Sequence, residues 1–474
     1  MNYKISYKQP DTKYLHIEAT FSNISQKLLK INLPAWRPGR YEIQNFAKNI
    51  RNVSCKASNG KDLSIKKVKK DIWQVKTEGY SEISIQYEFY ADIQNAGGSY
   101  IEPNFLYLNP INFCMYIENQ QNEPCELKID FAANTDIATG MSFEKNGSIN
   151  TFTCNSFHDL VDSPIMISSA IQHKTYMSQG YKFHIWVKGK IEIPWNKVLI
   201  DFKKFTSEQI DVFGEFPVKE YHFMLWMMSK PYYHGVEHHN STMMTLGPDA
   251  QNFDEIYIDI LGLASHELFH TWNVKKIRPK ELLPYDYSKE NYFETCFVAE
   301  GLTTFYGDWI LYRSGVFNKE QYLKELETTL KRHFETSNEA SQSLLNSSFD
   351  LWLDGYEKGV PDRKVSVYHK GAIAALILHH LIQQNSDNKK GLDDLMRELW
   401  INYGKPFKGY SYRDYQNICK KYIGKNASTY FRDIIAGNQS IKEQTKAALE
   451  SLNFQLVKDS KDTISLAYLK PTSY

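Results

Sequence analysis

Cysteine is scarce. Six residues, Cys55, Cys114, Cys125, Cys154, Cys296 and Cys419, are scattered through 474 with no CxxC pair. This spacing excludes a disulfide framework or a four-cysteine metal knot and leaves reduced thiols that serve packing. Net charge is nearly absent: 56 Lys+Arg oppose 55 Asp+Glu, for a formal charge of +1. A general basic field for nucleic acid is therefore excluded. Long apolar runs are missing too. The strongest, Ala372 to Leu378, falls short of the ~20 residues that cross a bilayer. The first twenty residues alternate polar with apolar side chains and lack the apolar core of a signal peptide. These features lead to the expectation of a cytoplasmic protein without membrane or nucleic-acid partners. Aromatic residues, by contrast, are plentiful at 14%, with 32 tyrosines. Stiff β-rich cores and peptide or carbohydrate clefts both explain such a content.

To about residue 170 the pattern has period two. Leu15, Ile17, Ala19 and Phe21 alternate with His16, Glu18 and Thr20, and Ile83, Ile85, Tyr87 and Phe89 alternate with Ser84, Gln86 and Glu88. Turn clusters at 58–61 and 95–98 separate such runs, so residues 1–170 are expected to form an antiparallel, β-sandwich-like domain. His16 would point to solvent, and Lys66, Lys67, Lys69 and Lys70 would mark a protected strand edge.

A mixed α+β unit is expected over 171–411, with strands at Tyr181–Val187 and Tyr221–Met227 and a helical pattern around Thr206–Phe213. Helical spacing then dominates at Ile260–Trp272, Phe293–Tyr312, Lys319–His333 and Gly371–Gln384. Glu339–Lys364, rich in Ser, Asn and Asp, reads as a long loop. A helical extension over 412–452 and a strand-like tail over 453–474 complete the fold class: multidomain β plus α+β, helical towards its C-terminal end.

His266-Glu267-Leu268-Phe269-His270 is an HExxH pattern. On a helix its two histidines lie one turn apart on one face, where both imidazoles can reach one cation. Glu267 lies about 100° round the helix, near that cation without ligating it, and can accept a proton from a water there. By chance about 0.03 such pentapeptides are expected in a chain of this composition. The plain alternative is a helix with two surface histidines. A catalytic zinc takes three protein ligands and keeps one position open. Glu300, an acid amid the apolar residues 298–306, is the candidate third ligand, since its burial needs a partner. The alternative is a helix glutamate paired with Lys or Arg.

His266 to Pro279, with Trp272-Asn273 and Ile277-Arg278-Pro279, resembles the signature of the glycyl aminopeptidase family of gluzincin zinc peptidases. Leu33 to Tyr41, followed by Asn45-Phe46-Ala47, is similar to that family's N-terminal β-domain. Gly235-Val236-Glu237-His238 resembles its upstream glutamate segment, and Ser366 to Ala372 its tyrosine segment. The blocks occur in the family's order across residues 30 to 380. The resemblance implies a thermolysin-like catalytic domain with one Zn2+ per chain on His266, His270 and Glu300, and Glu267 as general base. It also implies Tyr368 as the phenol facing the developing oxyanion, and Glu237 as the group that binds the substrate's free ammonium. The alternatives for these last two are a core or rim tyrosine and a structural ion pair.

Gly235 would let the substrate backbone approach. Arg278, clustered with Lys275, Lys276 and Lys280, would bind a substrate carboxylate or neutralise nearby acids and the helix end. Trp272 and Asn273 would fix that helix end. His238, His239, His379 and His380 are expected to pack or hydrogen-bond rather than hold a second metal. Members of the family often continue into a PDZ domain, of which residues 453–474 could hold only the first strands.

The expected activity is removal of small N-terminal residues, Gly or Ala by resemblance, from peptides with a free N-terminus. The rivals are an endopeptidase of the same fold, its cleft open at both ends, and a peptide-binding protein without turnover.

Overall fold

The computed structural model describes all residues except 8, 133, 250–251, 358–359, 362, 459–462 and 469–474. Residues 2–170 build three sheets. The largest has seven strands in the order Ser142–Asn146, Ile149–Cys154, Cys125–Asp130, Asn2–Ser6, Tyr14–Phe21, Ile83–Tyr90 and Ile50–Ala57. Leu15, Ile17, Ala19 and Phe21 point into the core at no more than 2% exposure, so the hydrophobic alternation sets the register. One pairing departs from the expected antiparallel pattern. Asn2–Ser6 runs parallel to Cys125–Asp130, with Tyr3 opposite Leu127, because these strands are distant in sequence and no hairpin dictates their direction.

His16 faces outward beside Glu88, and Ile65–Lys69 is an exposed edge strand of the three-stranded sheet. All six cysteines are free thiols.

The second unit opens on a five-stranded mixed sheet, ordered Ile171–Ser178, Tyr181–Lys188, Glu220–Met227, Ser241–Gly247, Tyr232–Glu237. The last of these is antiparallel to its neighbour and forms the sheet edge. Against the sheet pack the helices Trp195–Phe213, on the strand Ile171–Ser178, and Phe253–Phe269, on the two strands at the opposite edge; Leu302–Arg313 packs on Phe253–Phe269 and is followed in the chain by Lys319–Phe334 and His369–Asn385. Towards the C-terminal end, Tyr412–Ile423 and Lys442–Ser451 are helical, and Phe454–Lys458 pairs with Ile464–Tyr468. The rest of the expected strand-like tail, 459–462 and 469–474, lies outside the described residues.

Three local readings are corrected. The helix around Thr206–Phe213 begins at Trp195, where Trp195, Val198 and Phe202 extend the apolar face. The 339–364 segment contains helices Leu344–Phe349 and Leu351–Asp354. Ser343 caps the first by accepting from the Asn346 N–H, so a polar composition that reads as loop is partly capping chemistry. Phe293–Tyr312 is not one helix, since a π-helical turn, Phe297–Gly301, precedes Leu302–Arg313.

The N-terminal unit reaches the second unit through Trp36, which is fully buried. Its Nε1 donates to the Asp286 carbonyl at 2.8 Å, and its ring meets Trp352 edge-on at 4.9 Å between centroids. Ala35 N–H donates to the Tyr287 carbonyl at 2.8 Å. These contacts seat the loop that follows, Arg37 to Tyr41, at one end of the cleft. Among the described residues no helix is long and apolar enough to cross a membrane.

Candidate active site

The helix Phe253–Phe269 starts with Asn252, whose side chain accepts from the Asp254 N–H. Its middle is anchored by Gln209, which donates to the Ser265 carbonyl at 2.8 Å, and by Ser265, which donates to the Gly307 carbonyl at 2.7 Å. The last turn carries His266 and His270 on one face, their Nε2 atoms 3.0 Å apart. Glu300, on the π-helical turn, brings Oε2 to 3.7 Å from His266 Nε2 and 3.4 Å from His270 Nε2. A π turn widens the helix locally and swings this carboxylate off the regular spiral towards the histidines.

Asn273 ties the two ligand-bearing elements together. Its carbonyl accepts from His270 Nδ1 at 2.6 Å, which leaves the Nε2 lone pair facing Glu300. Its side-chain amide donates to the carbonyls of Val298 at 2.9 Å and Ala299 at 3.2 Å, beside Glu300. Behind Glu300, Gly301 and Gly371 cross so closely that a Cβ on Gly301 would lie 2.5 Å from Gly371 Cα. That contact presses the Glu300 turn onto the helix that follows Tyr368.

The three ligand atoms fit a zinc ion. Their separations of 3.0, 3.7 and 3.4 Å bracket the ~3.3 Å edge of a tetrahedron with bonds of about 2.0–2.1 Å. The electrostatics agree. Burial opposes charge on Glu300, yet His270 and His266 hold its carboxyl down at about 2. Against the same desolvation, Glu300 pulls His270 up to about 10. The cluster thus draws positive charge into itself, and a dication satisfies that demand. A second group, His184, Glu220 and His222, gathers on the sheet. There Trp186 Nε1 donates to His222 Nδ1 at 3.1 Å, so neutral His222 keeps its proton on Nε2 and offers no free lone pair.

Glu267 is 5% exposed, with Oε2 buried and without a hydrogen-bond partner. Burial first, and then the charges of Glu237 and Glu300 against the pull of His270, raise its carboxyl well above the usual range. Its other oxygen faces Gly235, where a Cβ would come within 2.2 Å of Oε1. The absent side chain at 235 is space taken by Glu267.

Glu237, on the edge strand, is 4% exposed, and its Oε1 is also buried without a partner. Gly39 of the N-terminal unit closes on it, since a Cβ there would meet Glu237 Oε2 at 2.4 Å. Behind stands Arg37, at 2% exposure. Its Nη2 donates to His234 Nε2 at 3.4 Å, and its guanidinium lies so flat on Gly97 that a Cβ would meet Nε at 2.1 Å. Burial lowers the Arg37 pKa and the Glu237 charge opposes that fall. Arg37 and Gly39 escaped the sequence reading as site residues, although they stand within the recognised Leu33–Tyr41 block; only the folded chain brings them to Glu237.

Tyr368 lines the same cavity of about 640 Å³ as the histidines, Glu267, Glu300 and Glu237. Burial first, then the Glu300 charge and the neighbouring Tyr356 phenol, raise its pKa and keep the phenol protonated. Tyr356 in turn accepts from the Tyr41 N–H at 3.2 Å. The cavity also takes in Gly235.

It does not take in Arg278. That side chain lies in a separate pocket beside Lys275 and Lys276, its guanidinium 4.2 Å from the Tyr285 ring centroid and its Nη2 donating to the Lys275 carbonyl at 3.0 Å. Lys275 pairs with Asp162 at 2.8 Å. The same Asp162 accepts from His238 Nδ1 and from the His239 N–H, both at 3.1 Å. His379 Nδ1 accepts from the Leu392 N–H. His238 and His379 are thereby committed to hydrogen bonds within the fold.

The description of the M61 N-terminal domain matches residues 2–169, and that of the M61 glycyl aminopeptidase matches residues 259–374. Among solved structures, an aminopeptidase N family protein from Idiomarina loihiensis superposes with a TM-score of 0.90 at 28% identity, covering 97% of this chain and 79% of that one. An M1 zinc metallopeptidase from Deinococcus radiodurans superposes with a TM-score of 0.56 at 13% identity, over 93% of each chain. A mutant of that metallopeptidase, bound to a Tyr-Ser-Ala substrate, gives a TM-score of 0.56 at 12% identity over 93% of this chain and 94% of that one. No curated protein sequence matches significantly. With both of its units matched and its ligand cluster in place, the chain belongs to the M61 glycyl aminopeptidase family of zinc metallopeptidases.

Proposed function

We propose that the protein is a zinc aminopeptidase that removes one small residue, Gly or Ala, from the N-terminus of a peptide. The observation that carries this reading is the pairing of two buried, unpartnered carboxylate oxygens, Glu237 Oε1 and Glu267 Oε2, in one cavity with the His266–His270–Glu300 cluster. A buried acceptor without a donor is costly, and a substrate ammonium supplies that donor to Glu237. The loop with Gly39 and Arg37 blocks the cleft beyond Glu237, so a chain whose amine sits there has no room for a preceding residue. This favours an exopeptidase over the endopeptidase alternative. Nothing in the site favours binding without turnover, since ligands and base are all present.

His266, His270 and Glu300 would hold the ion. When bound there, zinc supplies Lewis-acid polarisation of a water molecule and of the scissile carbonyl. Glu267 accepts the water proton and returns it to the leaving amine, a role suited to a carboxyl with a raised pKa. The protonated Tyr368 phenol donates to the carbonyl oxygen as charge grows on it, so its bond strengthens towards the transition state. Glu237 counts one residue from the N-terminus, and Gly235 gives Glu267 its position.

The test is Glu267→Ala set against wild-type protein. Both are expected to bind one zinc per chain, while hydrolysis of alanyl-arylamide falls at least a hundredfold in the variant. A variant with full zinc and full activity contradicts the assigned base.

A further inference from the structure

The cavity does not end at the metal cluster. From Glu237 it runs along the edge strand past Gly235 and His234 to Tyr233, and along the helix Phe253–Phe269 back to Asp259. Asp259 lies two turns before His266, about 10 Å along the axis. Asp308, on the helix after Glu300, lies about 12 Å beyond that ligand. Glu325, on the next helix, lines the same end. Arg332 is the one Arg or Lys among the cavity's described lining residues. No hydrogen bond or close ion pair joins Asp259, Asp308 or Glu325 to a cation among the described residues. Lys324 and Arg332 act on Glu325 only through their field, and Lys324 alone so acts on Asp259. Burial, and after it the Glu325 charge, pushes Asp308 up to about 7. The three acids therefore crowd one arm of the cleft, opposed only through the field of Lys324 and Arg332 and not by a direct ion pair among the described residues.

We infer that this arm receives a basic side chain of the substrate, so that the enzyme prefers peptides with Lys or Arg at the third or fourth position behind a small N-terminal residue. The inference rests on the proposed reading of Glu237. With the amine anchored at that buried, unpartnered carboxylate and the chain blocked beyond it, the peptide can extend only towards Tyr233. The strand Tyr232–Glu237 is the sheet edge, which offers its backbone to an added extended strand. At ~3.3 Å per residue, the roughly 10–12 Å from the ligands, where the carbonyl of the first residue lies, reaches the fourth substrate residue, and the flexible four-carbon stem of a lysine lets the third reach the acids as well. A lysine or arginine there gains attraction from the half-buried carboxylates of Asp308 and Glu325 and the exposed one of Asp259, an attraction that salt weakens.

The test compares tetrapeptides with N-terminal Ala and with Lys, Ala or Glu at positions three and four, using the zinc-loaded full chain. Wild type is expected to show kcat/KM about tenfold higher for Lys than for Ala, lower again for Glu, with the difference shrinking as salt rises. In Asp308→Asn and Glu325→Gln the Lys-to-Ala ratio, read within each variant so that any general loss cancels, is expected to fall towards one. Calorimetry of the same peptides with zinc-loaded Glu267→Gln supplies a readout independent of turnover, and tighter binding of the Lys peptide is expected. If alanyl-arylamide is cleaved but neither assay depends on charge, this inference alone is overturned. If no arylamide is cleaved yet the Lys peptide binds more tightly through Asp308 and Glu325, the aminopeptidase reading falls and the cationic subsite stands. A Lys preference that survives both variants also overturns the assignment.

Discussion

Glu267 occupies the space that a side chain at Gly235 would need: a Cβ on Gly235 would stand 2.2 Å from Glu267 Oε1 and 2.7 Å from Leu263 Cδ1. The edge strand and the HExxH helix thus meet as backbone against carboxylate. Gly235→Ala is expected to push Glu267 aside while the three ligands stay in place. Displacement by about 1 Å can cost roughly a hundredfold in kcat. Zinc content by atomic absorption should be unchanged and kcat should drop by about ten- to a hundredfold. An unaltered kcat would show that Glu267 tolerates the shift.

Asn273 supports both ligand-bearing elements, through its carbonyl to His270 and through its amide to the turn of Glu300. Asn273→Ala removes the amide and leaves two buried carbonyls without that donor. Zinc affinity, measured by chelator competition, should weaken by about 10- to 100-fold. The fold should lose about 1–3 kcal/mol in denaturant unfolding. A variant with wild-type metal affinity would make Asn273 a packing residue only.

Asp162 sets a pH dependence away from the metal. Burial raises its pKa, but Lys275 and His238 outweigh burial and hold the carboxyl well below the ordinary Asp value. The unfolded chain therefore takes up this proton first as pH falls, and the contribution of Asp162 to stability is complete above the unfolded value of ~3.9. It is lost only as pH drops further, towards the folded value. Asp162→Asn, which strands the buried Lys275 ammonium, should cost about 3 kcal/mol near neutrality. The gap between wild type and variant, followed by chemical denaturation from pH 7 to 3, should stay constant to about pH 5 and narrow below pH 4. A gap that widens in acid would reverse the assigned sign.

Much of this site was legible because helical periodicity converts sequence spacing directly into geometry. His266 and His270 needed only 3.6 residues per turn, and the burial cost of an acid among apolar residues pointed to Glu300. The β-rich first unit followed from alternation in stretches such as Leu15–Phe21. What escaped depends on distant segments meeting. The parallel pairing of Asn2–Ser6 with Cys125–Asp130 has no local signature. Nor does the closure of Glu237 by Arg37 and Gly39, which requires Trp36 to seat between Tyr285 and Trp352. The π turn at Phe297–Gly301 reads as ordinary helix because its apolar residues continue the three- and four-residue spacing of the helix that follows. Gly235 was singled out for space, and the space is real, but a residue of this chain fills it.

The central claim is that Glu237 recognises a free N-terminal ammonium beside the zinc cluster. The most direct measurement compares hydrolysis of alanyl-arylamide with its N-acetylated form by the zinc-loaded protein, in wild type and in Glu237→Gln. Wild type is expected to cleave the free-amine substrate and leave the acetylated one intact. In Glu237→Gln, KM for the free amine should rise at least tenfold while zinc is retained. Cleavage of the blocked substrate at a comparable rate would contradict the account and identify an endopeptidase.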